Sequence, residues 1–246
     1  STPRNATSTP SARAALTDVV FPAYEDFLSF YTEEYAPKCR TGLPGVAETA
    51  NGDDYYAYRV RSFTTTEMTP DEVHQLGLSE VARIRAEMEE VAAEAGFDTR
   101  EAFVEHLRTD PQYYMTDEAE YERYVGALAK QIDGWMPKLF GTLPRQPYTV
   151  QPIPAAQAPG NTTAYYEPGS LETGQAGIYR VNLTELDQRP LWELPALGVH
   201  EAVPGHHLQI AIAQELKEMP AFRRHSGVTV YTEGWALYTE RLSAEM

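Results

Sequence analysis

Residues 199–209, VHEAVPGHHLQ, constrain the fold of this chain more than any other stretch. Three histidines and a glutamate fall within eight residues, and four of the six histidines lie between positions 200 and 225. Inside a helix, proline loses an N–H bond and clashes with the carbonyl four residues back, which for Pro204 belongs to His200. The segment therefore predicts a helix that is interrupted after Val203 by Pro204 and Gly205.

The residue types of this segment are those of a metal centre, because neutral imidazoles bind zinc and an adjacent carboxylate can accept a proton from water. On an unbroken helix, His206 would lie about 120° around the axis from His200, and His207 roughly 10 Å along it. If Pro204 and Gly205 bulge out, His206 takes the place of the second histidine in an H-E-x-x-H motif. We favour His206 as the ligand, and for His207 three roles stay open: the alternative ligand, a residue that supports a ligand from behind, and a substrate contact.

A catalytic zinc site takes three protein ligands and leaves a fourth position for water. Glu233, in the segment YTEGWALYTERL, lies 27 residues after His206, where an antiparallel helix pair would return it to the metal. Glu240 lies two turns further, nearly on the same face but about 10 Å away. It would either orient a histidine from behind or face solvent, and we slightly favour solvent.

Composition limits the partners of the chain. The 246 residues carry a formal charge of −16, which argues against nucleic acid or an anionic membrane as the main partner. The single cysteine, Cys39, excludes an internal disulfide. No apolar run reaches the roughly 18 residues of a membrane span. The sequence leaves the compartment open between the cytoplasm and export with removal of a leader.

Patterns along the chain predict a mainly α fold, a helical bundle with a small antiparallel β-sheet next to the metal-site helix. Residues 1–15 are polar and rich in proline and predict a disordered tail or linker, followed by one helical domain over residues 16–246. Helical patterns cover residues 16–36, 69–96, 98–107, 116–139, 195–219 and 231–242. Extended segments are predicted at residues 55–60, 148–154, 163–169 and 177–183.

HEAVPGHHLQ followed by YTEGWALYTERL closely resembles the bacterial family named domain of unknown function 885, which is grouped with zinc metallopeptidases of the gluzincin type. TTTEMTP, AYYEPGS and GIYRVNL extend the resemblance over most of residues 16–246. The resemblance implies that His200, His206 and Glu233 bind the metal and that Glu201 is the general base. It also implies a helical, two-lobed protein with zinc in a deep channel. Because family members are usually about twice as long, it leaves three cases open: the chain is a fragment of a larger two-lobed protein, it is a cleaved product, or a second chain carries the rest of the fold.

These features predict a zinc-dependent hydrolase that cleaves peptide bonds, with a peptide or small amide as substrate. Residues 177–182, which end in Asn182, would bind substrate backbone at a sheet edge. Tyr165, Tyr166 and Tyr179 would line the pocket, with packing as an equal alternative. His225 would contact substrate or lie in a surface loop. Two other functions stay open: a non-catalytic metal-binding or interaction protein with the same fold, and a zinc amide hydrolase with a non-peptide substrate.

Overall fold

The structure, a computed structural model, describes residues 10–42, 45–225 and 227–246 and is mainly α-helical, as predicted. Its helices are α1 (Pro10–Ala15), α2 (Phe21–Ser29), α3 (Gly52–Thr64), α4 (Pro70–Glu94), α5 (Arg100–Thr109), α6 (Glu118–Asp133), α7 (Met136–Leu139), α8 (Leu194–Glu201), α9 (His206–Glu215), α10 (Ala221–His225) and α11 (Thr229–Leu242). Its strands are β1 (Tyr148–Pro152), β2 (Ala164–Glu167) and β3 (Gly177–Val181). Short 3-10 turns are Ala36–Lys38, Val46–Glu48, Pro111–Tyr113, Leu186–Gln188, Leu191–Glu193 and Ser243–Glu245.

The chain divides into two compact units, Ser1–Tyr56 and Ala57–Met246. In the first unit, α1 continues through a π-helical segment, Leu16–Val20, into α2 and a second π-helical segment, Phe30–Tyr35. The helix predicted over residues 16–36 is therefore confirmed. The predicted disordered tail is wrong for residues 10–15, which form α1, and its residues 1–9 lie outside the described part of the chain.

Helix ends explain most of the remaining boundaries. The Thr69 side chain accepts from the Glu72 N–H and the Glu72 carboxylate accepts from the Thr69 N–H, so α4 begins with a capping box. Gly96 follows the end of α4 with a φ of 86°, a conformation that glycine adopts without steric cost. The cap of α5 is Thr99, whose side chain accepts from the Ala102 N–H. The predicted helix 116–139 is two helices, because α6 ends before Gly134.

The predicted extended segment at residues 55–60 is wrong, because these residues form the middle of α3. Their tyrosines and valine favour strands in general. The first turn of α3, however, carries Asp53 and Asp54, whose charges are favourable at the positive end of a helix dipole. The local charge pattern and the aromatic content therefore predict different structures, and the helix is the one that forms.

The three other predicted strands form one sheet with the order β1-β3-β2. β3 pairs in parallel with β1 and antiparallel with β2, so the sheet is mixed and not antiparallel as predicted. β3 is the central strand, with a partner on each side. The prediction that residues 177–182 form an edge strand is therefore wrong, and β2 is an edge strand instead.

The second unit contains two hydrophobic clusters that hold the site in place. One joins α6, the sheet and the start of α8 through Tyr121, Val125, Ala164, Tyr179, Val181, Leu186, Leu194 and Ala202. The other joins α6, α7, α8 and α9 through Ile132, Met136, Val199, Val203 and Leu208. α8 and α9 are thus packed on several sides by apolar contacts. Within the described ranges, no helix is both long and apolar enough to cross a membrane.

Candidate metal centre

The predicted interruption of the histidine-bearing helix is present. α8 ends at Glu201, two residues before the predicted break, and α9 begins at His206. The Val203–Pro204 peptide bond is cis, and the His207 N–H donates to the Ala202 carbonyl across the loop at 3.0 Å. A Cβ on Gly205 would overlap the backbone carbonyl oxygens of α8, so only glycine fits there. The loop therefore sets the rotation of α9 relative to α8.

His200, His206 and Glu233 converge as predicted. Their ligand atoms all lie within 4.8 Å of one another. The Glu233 Oε2 lies 3.6 Å from the Nε2 atoms of both histidines. Ligands bound to zinc at about 2.1 Å in tetrahedral geometry are about 3.4 Å apart. The spacing and the two-nitrogen, one-oxygen donor set therefore fit a zinc ion, and the Glu233 side chain, 57% exposed, leaves the site open towards solvent.

α11 carries Glu233 and is tied to both histidine helices. The Trp235 Nε1 donates to the Pro204 carbonyl at 2.7 Å, and the Thr239 Oγ1 donates to the Val199 carbonyl at 3.2 Å. The Gln209 Nε2 donates to the Tyr231 carbonyl at 3.0 Å. Sequence reasoning did not assign these anchors, although Trp235 and Thr239 are four residues apart and so share one face of α11.

Glu240 does not merely face solvent, as the sequence slightly favoured. One of its carboxylate oxygens lies 2.7 Å from the Nδ1 of His200. A histidine that donates its Nδ1–H to a carboxylate presents its Nε2 lone pair to a metal in a fixed direction. In this structure the Nε2 of His200 is the nitrogen that faces Glu233. Glu240 therefore orients His200 from behind.

His206 and Glu201 are buried beside the cluster. The buried Nδ1 of His206 has no hydrogen-bond partner among the described residues, and burial lowers the pKa of this histidine, which favours the neutral form that binds metals. Burial raises the pKa of the Glu201 carboxyl, and the nearby Glu233 carboxylate raises it further. His200 and the backbone N–H of Tyr166 lower this pKa in part. The Glu201 carboxyl therefore borders the cluster and holds a proton more readily than an exposed glutamate.

His207 is not a ligand in this arrangement. Its side chain is 1% exposed, and both ring nitrogens have partners inside the protein. The Nδ1 lies 2.9 Å from the Tyr166 hydroxyl, and the Nε2 lies 3.0 Å from the Gln146 carbonyl oxygen. Neither nitrogen is free to bind an ion at the cluster. The structure therefore favours His206 over the alternative, His207.

The residues predicted to bind substrate have different surroundings. Tyr179 is 1% exposed and Asn182 is fully buried, where its amide donates to backbone carbonyls of residues 158–162. Tyr179 is therefore a core residue, the alternative that the sequence left equally open, and Asn182 is a core residue, contrary to the prediction. Tyr165 is partly buried and its hydroxyl lies 3.4 Å from the Glu167 carboxylate, so it is directed along the sheet. Tyr166 reaches His207. His225 ends α10, and its side chain lies outside the described part of the chain.

Comparisons with known proteins agree with this fold. The chain matches the family described as "Bacterial protein of unknown function (DUF885)" over residues 2–246. It is 30% identical to a solved structure described as "the putative lipoprotein from Colwellia psychrerythraea", with a TM-score of 0.87. The match covers 95% of this chain and 41% of that one, so the chain spans less than half of this relative. A comparison with curated proteins gives no match.

Proposed function

The chain belongs to the family of bacterial proteins of unknown function DUF885, and we propose that it is a zinc-dependent hydrolase of the gluzincin type that cleaves peptide bonds. The observation that carries the proposal is the convergence of His200, His206 and Glu233, with the Glu201 carboxyl bordering the same cluster. Three protein ligands and an open side are typical of a catalytic zinc site, whereas a structural site closes with four.

The buried glutamate supplies the proton transfer in this proposal. A bound zinc ion would polarise a water molecule and lower its pKa towards neutrality. The Glu201 carboxylate accepts the proton of the attacking water and then gives it to the nitrogen of the departing amine. A carboxyl whose pKa is raised by burial suits both steps, because it holds the proton between them and still releases it.

The edge strand β2 offers the binding surface for an extended peptide. The Asn182 N–H donates to the Thr163 carbonyl, so in this antiparallel register the backbone groups of Ala164 and Tyr166 point away from β3. One of these outward groups, the Tyr166 N–H, lies close enough to Glu201 to lower the pKa of its carboxyl. A peptide added along β2 would therefore bring a backbone carbonyl beside the general base.

A digest of a peptide library by zinc-loaded protein tests the activity. We expect the wild type to cleave peptides and Glu201→Gln to lose on the order of a hundredfold or more in kcat while it retains zinc. Glu193→Gln is the matched control, because Glu193 is also a glutamate at α8 whose pKa burial raises, but it borders no ligand. Cleavage that survives in Glu201→Gln would reject Glu201 as the base.

Metal content tests the ligand set separately. We expect one zinc per chain in the wild type, loss of zinc in His206→Ala and Glu233→Ala, and retained zinc in His207→Ala. Full zinc in His206→Ala would reject the proposed ligands. Zinc binding without cleavage of any peptide would favour a non-catalytic metal-binding protein, and cleavage of small amides alone would favour an amide hydrolase of another substrate class.

A further inference from the structure

The tautomer of a neutral His207 follows from its two hydrogen bonds. The Gln146 carbonyl oxygen can only accept, so the Nε2 of His207 carries the proton and donates it. The Nδ1 then presents a lone pair, and the Tyr166 hydroxyl donates to it. Burial raises the pKa of Tyr166 to about 12, so this hydroxyl keeps its proton. The direction of both bonds is thereby set.

The contact between Tyr166 and His207 is closely packed. A Cβ on Gly177 would overlap the Tyr166 hydroxyl, so the central strand leaves room for this bond only because it has glycine there. The Tyr148 ring packs on His207 with centroids 5.0 Å apart, and the Tyr166 ring lies edge-on at 5.6 Å. His207 therefore contacts side chains from two strands of the sheet.

Tyr166 also lies beside the general base. Its side chain points towards α9 and bonds His207, and its backbone N–H, on the free edge of β2, borders the Glu201 carboxyl. β2 also packs on α8, because Ala164 lies in one hydrophobic cluster with Leu194 and with Ala202, the residue after Glu201. His207 directly follows the ligand His206 in α9. One turn of α9 thus carries both the proposed ligand His206 and His207, and His207 bonds the tyrosine of β2 whose backbone borders Glu201.

From this geometry we infer that His207 and Tyr166 are positioning residues: their hydrogen bond holds the edge of β2 against the metal-site helices and so fixes the orientation of the Glu201 carboxylate. The inference rests on the proposed hydrolase function for its effect on the rate. Its structural part, the fixed position of β2 against α8 and α9, stands on the Tyr166–His207 hydrogen bond and on the packing of Ala164.

Removal of single hydrogen-bonding atoms tests the inference. Tyr166→Phe deletes the donor and keeps the ring, and His207→Phe deletes the acceptor. His207→Asn keeps an oxygen acceptor near the place of Nδ1 and serves as the rescue variant. Tyr114→Phe is the matched control, because its partly buried hydroxyl donates to the Leu107 carbonyl at 3.3 Å and touches no residue of the metal centre.

We expect Tyr166→Phe and His207→Phe to bind zinc fully and to lose about tenfold to a hundredfold in kcat per bound zinc, because misplacement of a catalytic group by about 1 Å has an effect of this size. KM should change by less than about threefold, and His207→Asn should recover most of the rate. Amide hydrogen exchange at residues 164–167 should accelerate by about tenfold or more in both phenylalanine variants and stay unchanged in Tyr114→Phe.

The exchange measurement separates this inference from the proposed function. If the wild type cleaves nothing, the hydrolase proposal fails, and the exchange rates at β2 still decide the positioning role. Unchanged exchange in Tyr166→Phe and His207→Phe would overturn the inference, as would an unchanged kcat per bound zinc in an active enzyme. Equal losses in Tyr114→Phe would also overturn it, because the effect would then be one of general stability.

Discussion

The helices of the metal centre and the helices α2 and α4 differ both in their local signals and in how many of their residues are buried. α4 has a capping box and 25 residues, yet only Ala92 is buried, and α2 has no buried residue. α8 and α9 are short and broken by proline, yet about half of their residues are buried. Local signals are therefore sufficient to form a helix, whereas the effect of a substitution depends on what surrounds it.

The largest effect is expected at the loop between α8 and α9. Gly205→Ala should lower the free energy of unfolding by about 4 kcal/mol or more and abolish zinc binding, because the new methyl overlaps backbone atoms of α8. Gly77→Ala in α4 has no atom within 4 Å of the new methyl and should stabilise the protein by up to about 1 kcal/mol. Urea denaturation and metal analysis measure both. A stable, zinc-binding Gly205→Ala would show that the loop adapts.

Truncation of a leucine in each region sharpens the comparison. Leu194→Ala should cost about 3 kcal/mol, because this side chain is 1% exposed in the cluster beneath α8. Leu28→Ala in α2 should change the free energy of unfolding by less than about 0.5 kcal/mol, because this leucine is 61% exposed. Denaturation midpoints report the difference. Equal costs would mean that α2 is covered in solution and that the comparison fails.

Removal of the metal should affect the helices of the metal centre and not α2. At a free zinc concentration of 100 times its Kd, binding would stabilise the folded protein by about 2.7 kcal/mol. A chelator should therefore lower the thermal midpoint and speed amide exchange in α8, α9 and α11, with no change in α2. His200→Ala should show the lower midpoint at all zinc concentrations. A wild-type midpoint that does not respond to zinc would contradict the proposed site.

The smallest effect is expected from pH in metal-free protein. Burial lowers the pKa of His207 and His206, so their contribution to stability is complete above the unfolded value of about 6.5 and is lost as pH falls towards their folded values. Each histidine contributes a slope of at most about 1.4 kcal/mol per pH unit. Glu201, whose pKa burial raises, acts in the opposite direction.

The difference between wild type and His207→Asn isolates the part that is due to His207. Urea unfolding at a series of pH values between about 5.5 and 7.5 measures it. The free energy of unfolding should fall less on acidification in His207→Asn than in the wild type. An equal change in both proteins would exclude a contribution from His207.

The two histidines of the candidate metal centre could be predicted from the sequence, because their spacing depends only on the residues between them. The proline and glycine between the two histidines require a bulge, and two extra residues restore the four-residue spacing that an H-E-x-x-H site needs. The locations of β1, β2 and β3 also followed from local patterns. Their order and direction did not, because strand pairing depends on contacts between residues that are distant in the sequence.

The roles of Glu240 and His207 could not be predicted for a similar reason. Glu240 follows Glu233 by seven residues, so both lie on one face of α11. This spacing does not show which residue of another helix Glu240 contacts. That this residue is His200 is a result of packing, through the Thr239 and Trp235 contacts with α8 and the loop. For His207 the sequence left three roles open, a ligand, a residue behind the ligands and a substrate contact, because its partners in β2 and just before β1 are 41 and 61 residues away.

The adjacent histidines His206 and His207 place a candidate metal ligand and the contact with the edge of the sheet in one turn of α9. In the proposed enzyme, zinc and an extended peptide along β2 would therefore bind on two sides of the same helical turn. By linkage, whatever factor the ion changes in the affinity of β2 for the peptide, the peptide changes in the affinity for the ion. Such coupling would be seen as a zinc affinity that differs between the free protein and the protein with a peptide along β2.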